Sequence, residues 1–173
     1  MKPKTVGRIS GQSIKESRQN ISGHVSGLWA DSVIMTLNGE RLVSDLAPGD
    51  RVITRDSGVA LVTSVHSRQV TTRAVTILAG SLGHTRPERD VTLPAGQPVL
   101  VRDWRARAIF NARQAMVPAH RLIDGEFITD QGEVEMTIYE LGFDTPHILY
   151  MDGLEVGSDA SALTNTDSGA QAA

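Results

Sequence analysis

Hydrophobic positions along the chain fall in short runs with a two-residue period, each closed by turn residues. Ser32–Thr36 is a β-branched run, and Leu37-Asn38-Gly39-Glu40 after it carries an Asn-Gly hairpin signal. Arg41–Ser44 returns, Ala47-Pro48-Gly49-Asp50 turns, and Arg51–Arg55 is extended again. Asp56-Ser57-Gly58 then leads into a long strand over Val59–Val70, where Leu61, Thr63 and Val65 alternate with Val62, Ser64 and His66. The pattern predicts further strands at Ala74–Leu78, Asp90–Leu93, Pro98–Arg102, Glu126–Thr129, Glu133–Leu141 and His147–Met151. Helix competes only at Trp104–Arg113 and at Pro118–Ile123, the second one or two turns long. No 3.6-residue pattern is long enough for a bundle. The expected class is all-β with irregular, curved sheets and helix under about a tenth of the chain.

Composition divides the 173 residues into one domain and two ends. Residues 1–25 set Lys2, Lys4, Arg8, Lys15 and Arg18 against Glu16 in a Ser/Gly-rich background, which reads as a basic flexible arm. Residues 158–173 have Leu163 as their one large apolar group and read as a disordered tail, leaving 26–157 as the folded domain. Overall charge is near balance, 17 Lys+Arg against 20 Asp+Glu, which opposes a nucleic-acid binder. Ala74–Ala79 and Pro98–Val101, the longest apolar stretches, fall short of the roughly 18 residues a membrane span needs. No apolar leader follows Lys2 and Lys4, so the expected compartment is cytoplasmic, with non-classical secretion as the alternative. Cysteine is absent, which removes disulfides, thiolate metal ligands and thiol nucleophiles together.

Candidate chemistry is sparse. The histidines at 24, 66, 84, 120 and 147 have no i, i+2 or i, i+4 pair, so neither a metal nor another cofactor is expected. Glu133/Glu135 and Glu88/Asp90 would each lie on one strand face, which suits a solvated face better than carboxylates opposed across a cleft. Arg102, Arg105, Arg107, Arg113 and Arg121 gather around Trp104 and Phe110 as an anion-binding candidate, without any nucleic-acid motif beside them. Gly80-Ser81-Leu82-Gly83-His84 lacks the Lys-Ser/Thr of a phosphate loop; Ala79–Arg89 reads as a surface loop.

Three blocks in order resemble the Hint (hedgehog/intein) autoprocessing family. The first runs from Gly27 to Thr36, through Asn38-Gly39-Glu40, to Val43-Ser44-Asp45-Leu46-Ala47-Pro48-Gly49-Asp50-Arg51-Val52, its Leu-x-x-Gly-Asp-x-Val portion being the most specific. The second is Asp90–Val101 followed by Trp104 and Val117-Pro118-Ala119-His120-Arg121-Leu122. The third is Tyr139-Glu140-Leu141 and His147–Ser158. Together they cover Gly27 to about Gly157, three quarters of the chain. The resemblance implies an all-β horseshoe of two pseudo-symmetric halves.

It also implies a reaction. In the family a Cys, Ser or Thr attacks the peptide bond before it, and a Thr-x-x-His pair polarises that bond and protonates the leaving amine. Here the nucleophile position falls on Gly27, and the Thr and His positions fall on Pro94 and Gln97. The family's closing His-Asn aligns with Gly157-Ser158, and His147 alone matches a family histidine. Glycine offers no nucleophile, and glutamine exchanges no proton near neutral pH. The first reading is therefore a Hint domain without its chemistry, acting as a binding or structural module with a protein partner. A second keeps self-cleavage by the Ser26 hydroxyl, helped by His66, His120 or His147. A third is an assembly or adaptor protein that docks through its basic arm.

Overall fold

The structure is a computed structural model that describes residues 24–159. Apart from His24, Val25, Ser158 and Asp159, the expected arm and tail lie outside the described residues. The described chain forms twelve strands: β1 (Leu28–Trp29), β2 (Val33–Thr36), β3 (Gly39–Leu42), β4 (Arg51–Thr54), β5 (Gly58–Leu61), β6 (Ser64–Ile77), β7 (Val91–Pro94), β8 (Pro98–Val101), β9 (Ala115–Pro118), β10 (Ile128–Gly142), β11 (Ile148–Met151) and β12 (Leu154–Gly157). One α-helix, α1 (Trp104–Phe110), and two short 3-10 turns join them. No helix among the described residues is long and apolar enough to cross a membrane.

Two antiparallel sheets result. One has the order β1-β10-β6-β7; the other runs β3-β2-β4-β11-β12-β8-β9, with β5 on β4. Turn chemistry sets the local register. In the β2–β3 hairpin the Thr36 hydroxyl donates to the Gly39 carbonyl at 2.7 Å and accepts the Asn38 amide at 3.1 Å. Gly39 closes that turn at φ +92°, a conformation glycine enters without a Cβ clash.

The structure redraws four of the predicted strands. Val59–Val70 is not one strand but β5 and the start of β6, which belong to different sheets. The break has a hydrogen-bonding cause: Val62 pairs with the 49–50 turn (Gly49 N to Val62 O 2.8 Å, Val62 N to Asp50 O 2.9 Å), whereas Thr63 already donates to Gly142. Val62 is buried at this corner, so alternation continues while the pairing partner changes. Conversely, Glu126–Thr129 and Glu133–Leu141 fuse into β10, because a bulge at Gln131, with Gly132 at φ +71°, carries pairing with β6 past the turn-like Asp-Gln-Gly. Ala74–Leu78 likewise extends β6. The helical reading of Trp104–Arg113 becomes the seven-residue α1, capped by Asp103 and ended by Asn111 in the left-handed region.

Strand β12 is buried on both faces, and Glu155 sits within it, only 4% exposed. Taking a carboxylate out of water costs several kcal/mol unless it is paired. Arg102 grips both oxygens at 2.8 Å, and Arg55 and Arg86 each add a bond at 3.1 Å. Those arginines follow β8, follow β4 and precede β7, so one carboxylate ties three loops to the last strand. Glu155→Gln removes the charge while keeping the volume. We expect it to cost about 2 kcal/mol, the buried-pair penalty discounted for the partly exposed guanidiniums. The thermal midpoint should fall by about 4–8 °C. An unchanged midpoint would mean that the three cations are solvated equally well without it.

Candidate functional site

Strands β7 and β8 belong to different sheets, and the turn Pro94-Ala95-Gly96-Gln97 joins them, closed by Gln97 N to Pro94 O at 3.0 Å. The segment before β1 is laid across this turn. Gly96 N donates to Val25 O at 3.0 Å. A Cβ at 96 would stand 2.6 Å from that oxygen and 2.7 Å from the His24 oxygen, so the approach requires glycine. The Val25 side chain packs against Ala74, Met136 and Ile138, so the last residues of the expected arm are seated on the domain.

Gln97 is 2% exposed, and both ends of its carboxamide are used. Its Oε1 accepts the Gly27 amide at 3.0 Å, and its Nε2 donates to the Gly157 carbonyl at 2.8 Å. One side chain thus joins the residue opening the domain to the residue closing it, 130 positions apart. Gly27 adopts φ +150°, and a Cβ there would meet Ile138 Cδ1 at 2.9 Å and Cβ at 3.1 Å. A side chain at position 27 therefore needs a backbone change and a displaced Ile138.

His147, just before β11, is 7% exposed and held at both nitrogens. Nδ1 lies 2.9 Å from Asp56 Oδ2 and 3.1 Å from Ser57 Oγ; Nε2 lies 3.1 Å from Asp144 Oδ1. Burial pulls the imidazole pKa down, but hydrogen bonds from Asp56 and then Asp144 outweigh it, and the net shift is upward from 6.5. Burial would raise Asp56, yet the Ile148 amide and His147 hold it below 3.8; the His147 hydrogen bond does the same for Asp144. The His147 backbone accepts Ser158 N at 2.8 Å, and its amide donates to Ser158 Oγ at 2.9 Å.

A hydrogen-bonded chain thus connects the predicted positions. Gly27 and Gln97 touch directly, Pro94 shares the turn with Gln97, and His147 lies one residue further along, through Ser158 beside Gly157. Neither His147 nitrogen is bonded to Gly27, and among the described residues no imidazole is hydrogen-bonded to Ser26. One arrangement escaped the sequence: His24 and His120, 96 positions apart, lie against each other with ring centroids 4.4 Å apart and the rings tilted by 40°. His120 accepts nothing at Nδ1, which donates to Ala95 O at 3.0 Å; burial, His120 and Arg73 lower the His24 pKa. Spacing along the chain carries no signal for such a pair. Three arginines of the cluster around Trp104 have partners within the domain: Arg102 serves Glu155, Arg105 bonds Asp103 and Ser81, and Arg121 lies over Phe110, while Arg107 and Arg113 are exposed. Among the described residues no group of three or more His, Asp and Glu is placed to hold a metal ion.

Two measurements probe these ties. Gln97→Leu orphans two buried backbone groups at roughly 1–3 kcal/mol each. A total of about 3 kcal/mol would lower the midpoint by about 6–12 °C, and no change would mean that water fills the gap. The His147 contribution is present below its unfolded pKa near 6.5 and is lost as pH rises through the raised folded value. The midpoint gap between the parent and His147→Gln should therefore be wider at about pH 6 than at about pH 9. Equal gaps would show that the imidazole is held neutral.

Comparison with known proteins agrees with the architecture. The chain matches a DnaB intein from Synechocystis sp. PCC 6803 at TM-score 0.55 and 14% identity, over 78% of this chain and 99% of that one. It matches the TvoVMA intein at TM-score 0.57 and 12% identity, over 78% and 98%. A bacterial intein-like domain from Clostridium thermocellum gives TM-score 0.51 and 14% identity, over 76% and 97%. No curated protein sequence matches significantly. The family profile of the Hint domain matches residues 26–161, well over half the sequence. The chain belongs to the Hint domain family.

Proposed function

We propose that this Hint domain keeps the peptide bond before residue 27 intact and serves as a binding or structural module for a protein partner. The observation that carries the reading is the saturated carboxamide of Gln97, bonded to the Gly27 amide on one side and to the Gly157 carbonyl on the other. Converting an amide to an ester needs a nucleophile and a group that protonates the departing nitrogen. The group facing the Gly27 nitrogen is an uncharged amide oxygen, which accepts that N–H and has no proton to deliver. Position 27 brings no side chain, and Ile138 occupies the space one would need. Pro94 supplies no hydroxyl, and His147 has both nitrogens turned to carboxylates. The module spans residues 26–157 in this reading, with Ser158 fastening its end.

A reporter protein fused ahead of Gly27 tests the proposal through intact mass after long incubation, with and without an added thiol. The fusion should stay full length under both conditions. Spontaneous release of the reporter would overturn the reading and bring forward Ser26 as the nucleophile. The combined substitutions Gly27→Cys, Pro94→Thr and Gln97→His should restore some cleavage, and more when Ile138→Val removes the nearest clashing atom. That last change costs about 1 kcal/mol of core packing.

A further inference from the structure

The outer face of the larger sheet is apolar where water should meet it. On β2, Ile34 and Thr36 are buried inward, so Val33 and Met35 point outward and are only half-buried. Ile53 of β4 and Tyr150 of β11 continue the strip, and the four form the floor of a groove of about 730 Å³. An antiparallel sheet with one face open to water ordinarily carries polar residues on that face. The loop before β7 walls one side of this groove and β3 stands on another. A smaller hollow of about 230 Å³, walled by Trp29, adjoins it across Arg89 and Asp152.

Charge around the groove is one-sided. Asp31, Glu40, Glu88, Asp90 and Asp152 line the two hollows. Arg89 is bonded to Asp152, which, with Glu40 and Glu88 further off, raises the guanidinium pKa above its ordinary value. The other lining arginine, Arg86, is committed to Glu155. The same imbalance holds across the chain: residues 24–159 contain 12 arginines and 18 acids, whereas residues 1–23 contain five Lys/Arg and one acid. Within that basic stretch, Lys2-Pro3-Lys4-Thr5-Val6-Gly7-Arg8-Ile9 has three cations, two β-branched aliphatics and no acid. Its chemistry complements an apolar floor with a carboxylate rim.

We propose that residues 2–9 dock in this groove on the domain of their own chain, with Val6 and Ile9 supplying apolar contact and Lys2, Lys4 and Arg8 meeting the carboxylates. Reach does not limit the contact. The 15 residues from Ile9 to His24 span up to about 50 Å extended, against a radius of gyration of about 14 Å for a domain of this size. Tethering places the segment at an effective concentration on the order of 1 mM, so a contact with a Kd near 1 mM is already half formed. The occupied groove would cover this apolar strip, and a competing partner would have to displace the segment.

The lysine distribution makes the test direct. All three lysines lie at positions 2, 4 and 15, so zero-length carbodiimide cross-links in the full chain report only those residues and the terminal amine. At low micromolar protein, mapped links should favour Asp31, Glu40 and Glu88 over the equally exposed Glu133 and Glu135 of β10 by about tenfold, equivalent to 1.4 kcal/mol of preference. They should vanish in about 1 M salt, where the screening length is about 3 Å. Met35→Arg, which puts a cation on the floor, should reduce links to Asp31 and Glu88 while far-UV circular dichroism stays unchanged. Links spread evenly over exposed acids, no links, or a yield that rises with protein concentration would each overturn docking within one chain.

Discussion

A buried carboxamide closes this domain. Gln97 stands in the turn that joins the two sheets, and its two ends satisfy an amide at the start of the fold and a carbonyl at its finish. In a dry environment, an unpaired N–H or C=O costs more than the net gain of an ordinary hydrogen bond, so the constraint works by what its removal would expose. Much of the nearby geometry serves that bridge. Gly96 lets residues 24 and 25 lie on the turn, and Gly27 brings its nitrogen within reach while leaving Ile138 its space. On the other side, Glu155 and its three arginines fix the strand that carries Gly157.

The class of fold was legible because alternation and turn residues report local geometry. Arg51–Arg55 and His147–Met151 were placed to within a residue by β-branched runs between strong turn signals. The errors arise where alternation continues through a change of partner. Val62 keeps the apolar beat of its strand while its amide turns to Asp50, and only the far half of the chain supplies that information. The bulge at Gln131 is the converse case: Asp-Gln-Gly resembles a turn locally, but the long β6 partner holds the chain in the sheet. Both are tertiary decisions, made by hydrogen-bonding partners that period-two patterning does not encode.

At the candidate site, family resemblance made Gly27, Pro94, Gln97 and His147 legible as positions. What they do there depends on atoms from elsewhere. Nothing local in the sequence pairs Gln97 with Gly157, because the two meet where β12 pairs with β8 from the far end of the chain. Ile138 carries no local mark of its role; it fills the space beside Gly27 because β1 pairs with β10. The arginines near Trp104 showed the opposite effect: two members of a sequence cluster of like charges, Arg102 and Arg105, turn to carboxylates and a carbonyl within the domain.

Beyond the Glu155 cluster, two side chains tie down the end of the final strand, and they differ in how they respond to protons. Gln97 carries no titrating group, so its bridge persists across the ordinary pH range. Protonated, His147 bridges Asp56 and Asp144 as an imidazolium, and that arrangement loses strength on both sides. Above its raised pKa the imidazole becomes neutral; below the lowered pKa values of the two aspartates the carboxylates are lost. Ser158 is bonded to the His147 backbone, whereas Gly157 is bonded to Gln97. Extremes of pH therefore weaken the hold of the His147 segment on Ser158, whereas the Gln97 bridge to Gly157 has no proton to gain or lose.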